Sequence, residues 1–137
     1  MGAGIAQVVA ASGRTVALHD PYPGAVERGL ATIRKSLERL AAKGGGEPEP
    51  TLERIGVVDS LVEADLLIEA VVEDAAVKRA IFAEADQRLP AHAILASNTS
   101  SIPITELAAA TTRPDRVIGM HFFNPVPVLT LVEVIRA

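Results

Sequence analysis

Four short runs of branched aliphatic residues, Thr15–His19, Asp65–Val72, Ile94–Ala96 and Val117–His121, alternate with longer segments of helical character. A fifth, Leu129–Ile135, follows the last of them, and Val57-Val58 adds a minor one. Buried strands alternating with helices of this length imply a doubly wound α/β architecture built on a parallel sheet. Gly2 to Ser12 is small and apolar and closes on Gly13, as a helix with a glycine cap does. Between about Pro23 and Lys43, residues Val26, Leu30, Ile33, Leu37 and Leu40 recur at steps of four and three, which predicts a long helix with one apolar stripe. Gly44-Gly-Gly-Glu-Pro-Glu-Pro50 reads as a turn-rich linker, carried to about residue 55. A helix is predicted from Glu73-Asp74 to about Leu89, and another from Pro103 through Ala110.

Composition excludes several classes. The 137 residues are 49% hydrophobic with four aromatics, enough for one core dominated by Ala, Val, Ile and Leu. A net charge of −4 gives no attraction to nucleic acid or to an anionic membrane surface. There is no cysteine, so neither disulfides nor thiolate metal sites form, and no metal is expected. No run approaches the ~18 apolar residues of a membrane helix, and a cytoplasmic location is expected.

Two features carry chemistry. The first is Met1-Gly2-Ala3-Gly4 at the head of a helix, followed by a strand ending at Asp20. Dinucleotide-binding turns of Rossmann folds place G-x-G-x-x-G between a strand and a helix, with an acid about 20 residues on. Gly2 takes the place of the third glycine, Gly4 lets the helix pack closely, and Asp20 stands where a carboxylate accepts hydrogen bonds from the adenosine ribose. That carboxylate repels a 2′-phosphate, favouring NAD over NADP. Small residues in an ordinary close-packed helix account for Gly2 and Gly4 equally well. The first strand and first two glycines of the fingerprint are missing, so the chain is expected to be an incomplete fragment that is poorly folded and inactive alone.

The second is the series Ser97-Asn-Thr-Ser-Ser101, His121-Phe-Phe-Asn-Pro125 and Glu133. His121 ends a predicted strand, where open α/β sheets present ligands. Glu133 lies in the next strand, after a turn containing Pro125 and Pro127, which can bring its carboxylate to the imidazole. A histidine held in one tautomer by a carboxylate is a ready general base. A strand-end histidine satisfying local backbone is the competing reading.

Ala96-Ser-Asn-Thr-Ser-Ser101, His121-Phe-Phe-Asn-Pro-Val-Pro127 and Leu131-Val-Glu-Val-Ile135 resemble the NAD-binding domain of 3-hydroxyacyl-CoA dehydrogenases, and Gly2-Ala-Gly-Ile-Ala-Gln7 and Glu69-Ala-Val-Val-Glu73 fit the same pattern. The resemblance implies NAD-dependent oxidation of (S)-3-hydroxyacyl-CoA to 3-ketoacyl-CoA. It makes His121 the base, Glu133 its orienting acid and Ser100 a hydrogen-bond donor to the substrate oxygen. It also places Asn98 and Ser100 beside the nicotinamide ribose, Glu73 and Lys78 at cofactor-contacting positions, and Lys43 at the coenzyme A phosphate. It further implies a homodimer formed through a C-terminal helical domain not contained in residues 1–137, and a helical hairpin over the acyl-CoA whose second arm, near 44–55, looks abbreviated.

Each assignment has a plainer counterpart. Ser100 and Ser101 suit turn and cap positions, Glu73 suits a first helical turn, Lys78 suits an exposed neighbour of Glu73, and Lys43 suits a helix C-terminus. A non-catalytic NAD- or CoA-binding module, and a dehydrogenase of free hydroxy acids, are the alternative functions.

Overall fold

The computed structural model describes all residues 1–137, which form two compact units: residues 1–60 with 124–129, and residues 61–123 with 130–137.

In the first unit, helix α1 (Gly2–Ala11), strand β1 (Val16–Leu18), helix α2 (Ala25–Ala42), helix α3 (Pro48–Glu53) and strand β2 (Ile55–Val57) follow one another. β1 and β2 pair in parallel, Val16 opposite Ile55 and Leu18 opposite Val57. The stripe expected on α2 is real but only its middle is buried: Ile33 and Leu37 pack with Ala6 of α1, while Leu40 is exposed. α3 corrects the linker reading. Pro48 stands at the first helical position, where its missing N–H costs nothing. A residue type read as a breaker therefore starts a helix, and Arg34 of α2 reaches Glu49 at 3.0 Å across the pair.

Gly4 faces Val126 on the 124–129 segment. A Cβ at Gly4 would lie 2.9 Å from the Val126 Cβ, closer than carbon atoms tolerate. The glycine thus lets the segment seat against α1. Gly4→Val is expected to destabilise the fold by about 2–3 kcal/mol through overpacking, read as a lower midpoint in urea.

The second unit contains β3 (Leu66–Glu69), α4 (Ala75–Arg88), β4 (Ile94–Ser97), α5 (Ile104–Ala108), a 3₁₀ turn at Pro114–Arg116, β5 (Val117–Phe122) and β6 (Val132–Arg136). The sheet order is β3-β4-β5-β6. β3, β4 and β5 are parallel, as helical crossovers between them require. β6 returns antiparallel to β5. The nine residues between β5 and β6 contain no helix, so they make a hairpin rather than a crossover. The six strands form two sheets, one of two strands and one of four. The core of this unit gathers Phe82, Leu89, Leu95, Leu107 and Val117.

Asp74 caps α4, accepting the backbone N–H groups of Ala76 and Val77 at 2.9 and 3.1 Å. Arg113 closes the other end. Its guanidinium donates to the Asp86 carboxylate at 2.8 Å and to the carbonyls of Asp86, Leu89 and Pro90. No helix is long and apolar enough to cross a membrane.

Candidate active site

The antiparallel hairpin determines the central geometry. In its register His121 stands directly opposite Glu133, so their side chains share one face of the sheet. The imidazole Nδ1 lies 3.5 Å from the Glu133 carboxylate, with His121 a quarter exposed and Glu133 about half exposed. A contact at the long end of hydrogen-bond range is common where a catalytic pair tightens only around its ligand. With Nδ1 turned to the carboxylate, Nε2 is the nitrogen left to exchange a proton with a substrate. The Phe123 ring, tilted at 60° with its centroid 4.6 Å away, packs against the imidazole and limits its rotation.

The segment after β4 carries the serines. Asn98 Oδ1 accepts the backbone N–H of Phe122 at 2.8 Å, tying this segment to the residue after His121. Its carboxamide N–H groups remain free to donate. Ser100 is exposed, and its hydroxyl bonds to no protein group, so it is free for a ligand. Ser101 instead donates to Glu73 at 3.1 Å, and Thr99 donates to the same carboxylate oxygen.

Glu73 precedes the cap of α4 rather than lying in its first turn, and its carboxylate is turned to the 97–101 segment instead of the helix dipole. Partial burial alone raises its pKa. The hydrogen bond from Thr99, the charge of Lys78 and the bond from Ser101 outweigh that effect and hold it below the ordinary carboxylate value.

Lys78 departs furthest from expectation. It is not an exposed neighbour: its side chain is 1% exposed. Its ammonium lies 2.7 Å from Glu69, 3.4 Å from Glu73 and 3.5 Å from the Val71 carbonyl. The ammonium thus donates to Glu69 and to the Val71 carbonyl and forms an ion pair with Glu73.

Glu69, equally buried, is the residue that sequence reasoning passed over. It ends β3 opposite Ser97 and accepts from the Ser97 hydroxyl at 2.6 Å and the Val71 N–H at 2.7 Å. The available signal was an acid closing the apolar run Leu66-Leu-Ile68, a charge on a buried strand that needs a partner.

The remaining assigned residues belong to the first unit. Asp20 follows β1 and lines a cleft of about 520 Å³ with His19, Tyr22, Glu27, Val58 and Asp59. One carboxylate oxygen accepts the Tyr22 N–H at 2.9 Å, and the other is available to a ribose. No cation lines the cleft, and its three carboxylates disfavour an added phosphate there. The N-terminus of α1, where Gly2 and Gly4 sit, has neither a side-chain cap nor an acid in its first turn, leaving its amides open to an anion. These residues fit a nicotinamide dinucleotide. Gly4 is in addition a packing residue. Lys43 caps α2 through its backbone N–H and is exposed.

The family described as "3-hydroxyacyl-CoA dehydrogenase, NAD binding domain" matches residues 1–137. The chain is 51% identical over 142 residues to a Bacillus subtilis protein named "Probable 3-hydroxybutyryl-CoA dehydrogenase", covering 99% of this chain and 50% of the relative. It is 48% identical over 143 residues to a Mycobacterium tuberculosis 3-hydroxybutyryl-CoA dehydrogenase, with 99% and 50% covered. The crystal structure of (S)-3-hydroxybutyryl-CoA dehydrogenase PaaH1 from Ralstonia eutropha superposes with a TM-score of 0.94 at 44% identity, over 100% of this chain and 50% of that one. The chain thus spans about half the length of the curated relatives it matches. With its whole length matched, the chain belongs to the 3-hydroxyacyl-CoA dehydrogenase family, as the NAD-binding domain of that family.

Proposed function

We propose that the protein carrying these residues oxidises (S)-3-hydroxyacyl-CoA to 3-ketoacyl-CoA, and runs the reverse reduction, with His121 as the general base. The observation that carries this reading is the cross-strand His121–Glu133 contact at 3.5 Å. Bound NAD supplies the hydride acceptor. His121 Nε2 takes the proton from the 3-hydroxyl, Glu133 holds the ring through Nδ1, and the unpartnered Ser100 hydroxyl donates to the substrate oxygen. Asp20 receives the adenosine ribose, Asn98 and Ser100 lie beside the nicotinamide ribose, and Glu73 and Lys78 stand at cofactor-contacting positions. Lys43, at the exposed end of α2, meets the coenzyme A phosphate.

The test is reduction of acetoacetyl-CoA by the protein carrying residues 1–137, followed as loss of NADH absorbance. Turnover with NADH and little with NADPH is expected, because the carboxylates around Asp20 repel a 2′-phosphate. Turnover of free acetoacetate in preference to its CoA ester would overturn the substrate assignment. NADH binding with no turnover of either would leave a binding module only.

A further inference from the structure

Lys78 links two carboxylates that hold the same short segment. Glu69, 2.7 Å from the ammonium, receives the hydroxyl of Ser97 at 2.6 Å. Glu73, 3.4 Å from it, receives the hydroxyls of Thr99 and Ser101. Local bonds complete the arrangement. The Ser97 hydroxyl accepts the Thr99 N–H at 3.2 Å, and the Thr99 hydroxyl accepts the Ile102 N–H at 3.0 Å. Segment 97–101 is therefore fastened at its first, third and fifth residues, while the hydroxyl of Ser100 is left without a protein partner. A buried ion pair can commonly be replaced by apolar side chains without loss of stability, so stability alone does not call for one here. What apolar side chains cannot supply is a set of acceptors that holds hydroxyl and amide donors in one conformation.

We infer that Glu69, Lys78 and Thr99 are positioning residues: through the two carboxylates they hold segment 97–101 in the single conformation that presents Asn98 and Ser100. Lys78 then acts on the segment through Glu69 and Glu73. The use made of Ser100 rests on the function proposed above; the ordering of the segment does not.

Two readouts test this in the protein carrying residues 1–137. One is acetoacetyl-CoA-dependent NADH oxidation, and the other is backbone hydrogen exchange of the peptide covering 97–101. Thr99→Val is expected to lower kcat about 10-fold with the KM for NADH changed less than about 3-fold. It should also speed exchange of the peptide about 10-fold. Thr99→Ser, which keeps the hydroxyl, should restore both. Lys78→Met should reproduce the Thr99→Val pattern, and Glu69→Gln replaces it should Lys78→Met fail to fold. In a Ser100→Ala background, Thr99→Val should cost much less than it does alone.

Unchanged exchange in Thr99→Val and Lys78→Met overturns the inference. So does a Lys78→Met enzyme whose only defect is a KM for NADH raised 10-fold or more, the signature of direct cofactor contact. Losses that multiply fully in the double variant also overturn it. Absence of turnover in the unmodified protein refutes the proposed function instead, and the exchange comparison then decides the positioning role alone.

Discussion

His121→Gln is expected to lower kcat by about 10²–10⁴-fold, the contribution of a positioned general base, while NADH binding changes by less than about threefold. The reason lies in where the imidazole sits. Its Nδ1 side is occupied by Glu133 and one ring face is packed by Phe123, which leaves Nε2 as the working atom. Glutamine keeps the volume and a hydrogen-bonding end but takes up no proton near neutral pH. The loss should therefore appear in turnover and not in cofactor affinity. Stopped-flow measurement of NADH binding beside steady-state reduction of acetoacetyl-CoA separates the two. A variant retaining more than a tenth of wild-type kcat would show that His121 is not the base. Glu133→Gln should fall between wild type and His121→Gln, because it removes the orienting charge and keeps the base.

The largest expected effect on stability is at Arg113. Arg113→Ala should cost about 3–5 kcal/mol, the usual consequence of leaving one member of a buried pair alone, and lower Tm by on the order of 10 °C. Arg113 and Asp86 are 13% and 8% exposed, and the guanidinium also satisfies the last carbonyls of α4 and that of Pro90. Its removal strands a carboxylate and a helix end together. The pair also gives stability a pH dependence of definite sign. Burial alone raises the Asp86 pKa, but the Thr112 N–H and the Arg113 guanidinium outweigh it and hold the carboxyl below its ordinary value. A carboxyl depressed in the folded state stabilises it fully above the unfolded pKa of about 3.9 and loses that contribution as pH falls through the folded value. Tm of the unmodified protein should therefore drop as pH is lowered from about 5 through 3, and Arg113→Ala should drop less steeply over the same interval. Parallel curves for the two proteins would show that the pair contributes nothing.

Sequence patterning placed the strands well because each is a short aliphatic run bounded by turn residues, and local signals of that kind survive folding. It placed His121 and Glu133 because both sit on such runs. It failed where the deciding fact was what a residue meets across the chain. Lys78 has the helical neighbours of a surface lysine, yet it is buried and meets Glu69 at the end of β3 and Val71 and Glu73 in the segment beyond it. Glu69 looks like the polar end of a strand, and its partners Ser97 and Lys78 lie 28 and 9 residues away. Pro48 and Pro50 were read as breakers because position within a helix, which reverses the meaning of proline, is set by the chain on either side.

The two halves of the proposed chemistry have different folding histories. His121 and Glu133 face each other across a hairpin that closes a separation of 12 residues, whereas segment 97–101 is held by bonds reaching back 26 and 28 residues. Short closures form early and cost little chain entropy; long ones need the intervening helix already in place. Gentle denaturation should therefore release the segment that presents Ser100 while the base and its acid are still paired. Such a partly opened molecule would keep its proton acceptor after losing its grip on the substrate oxygen.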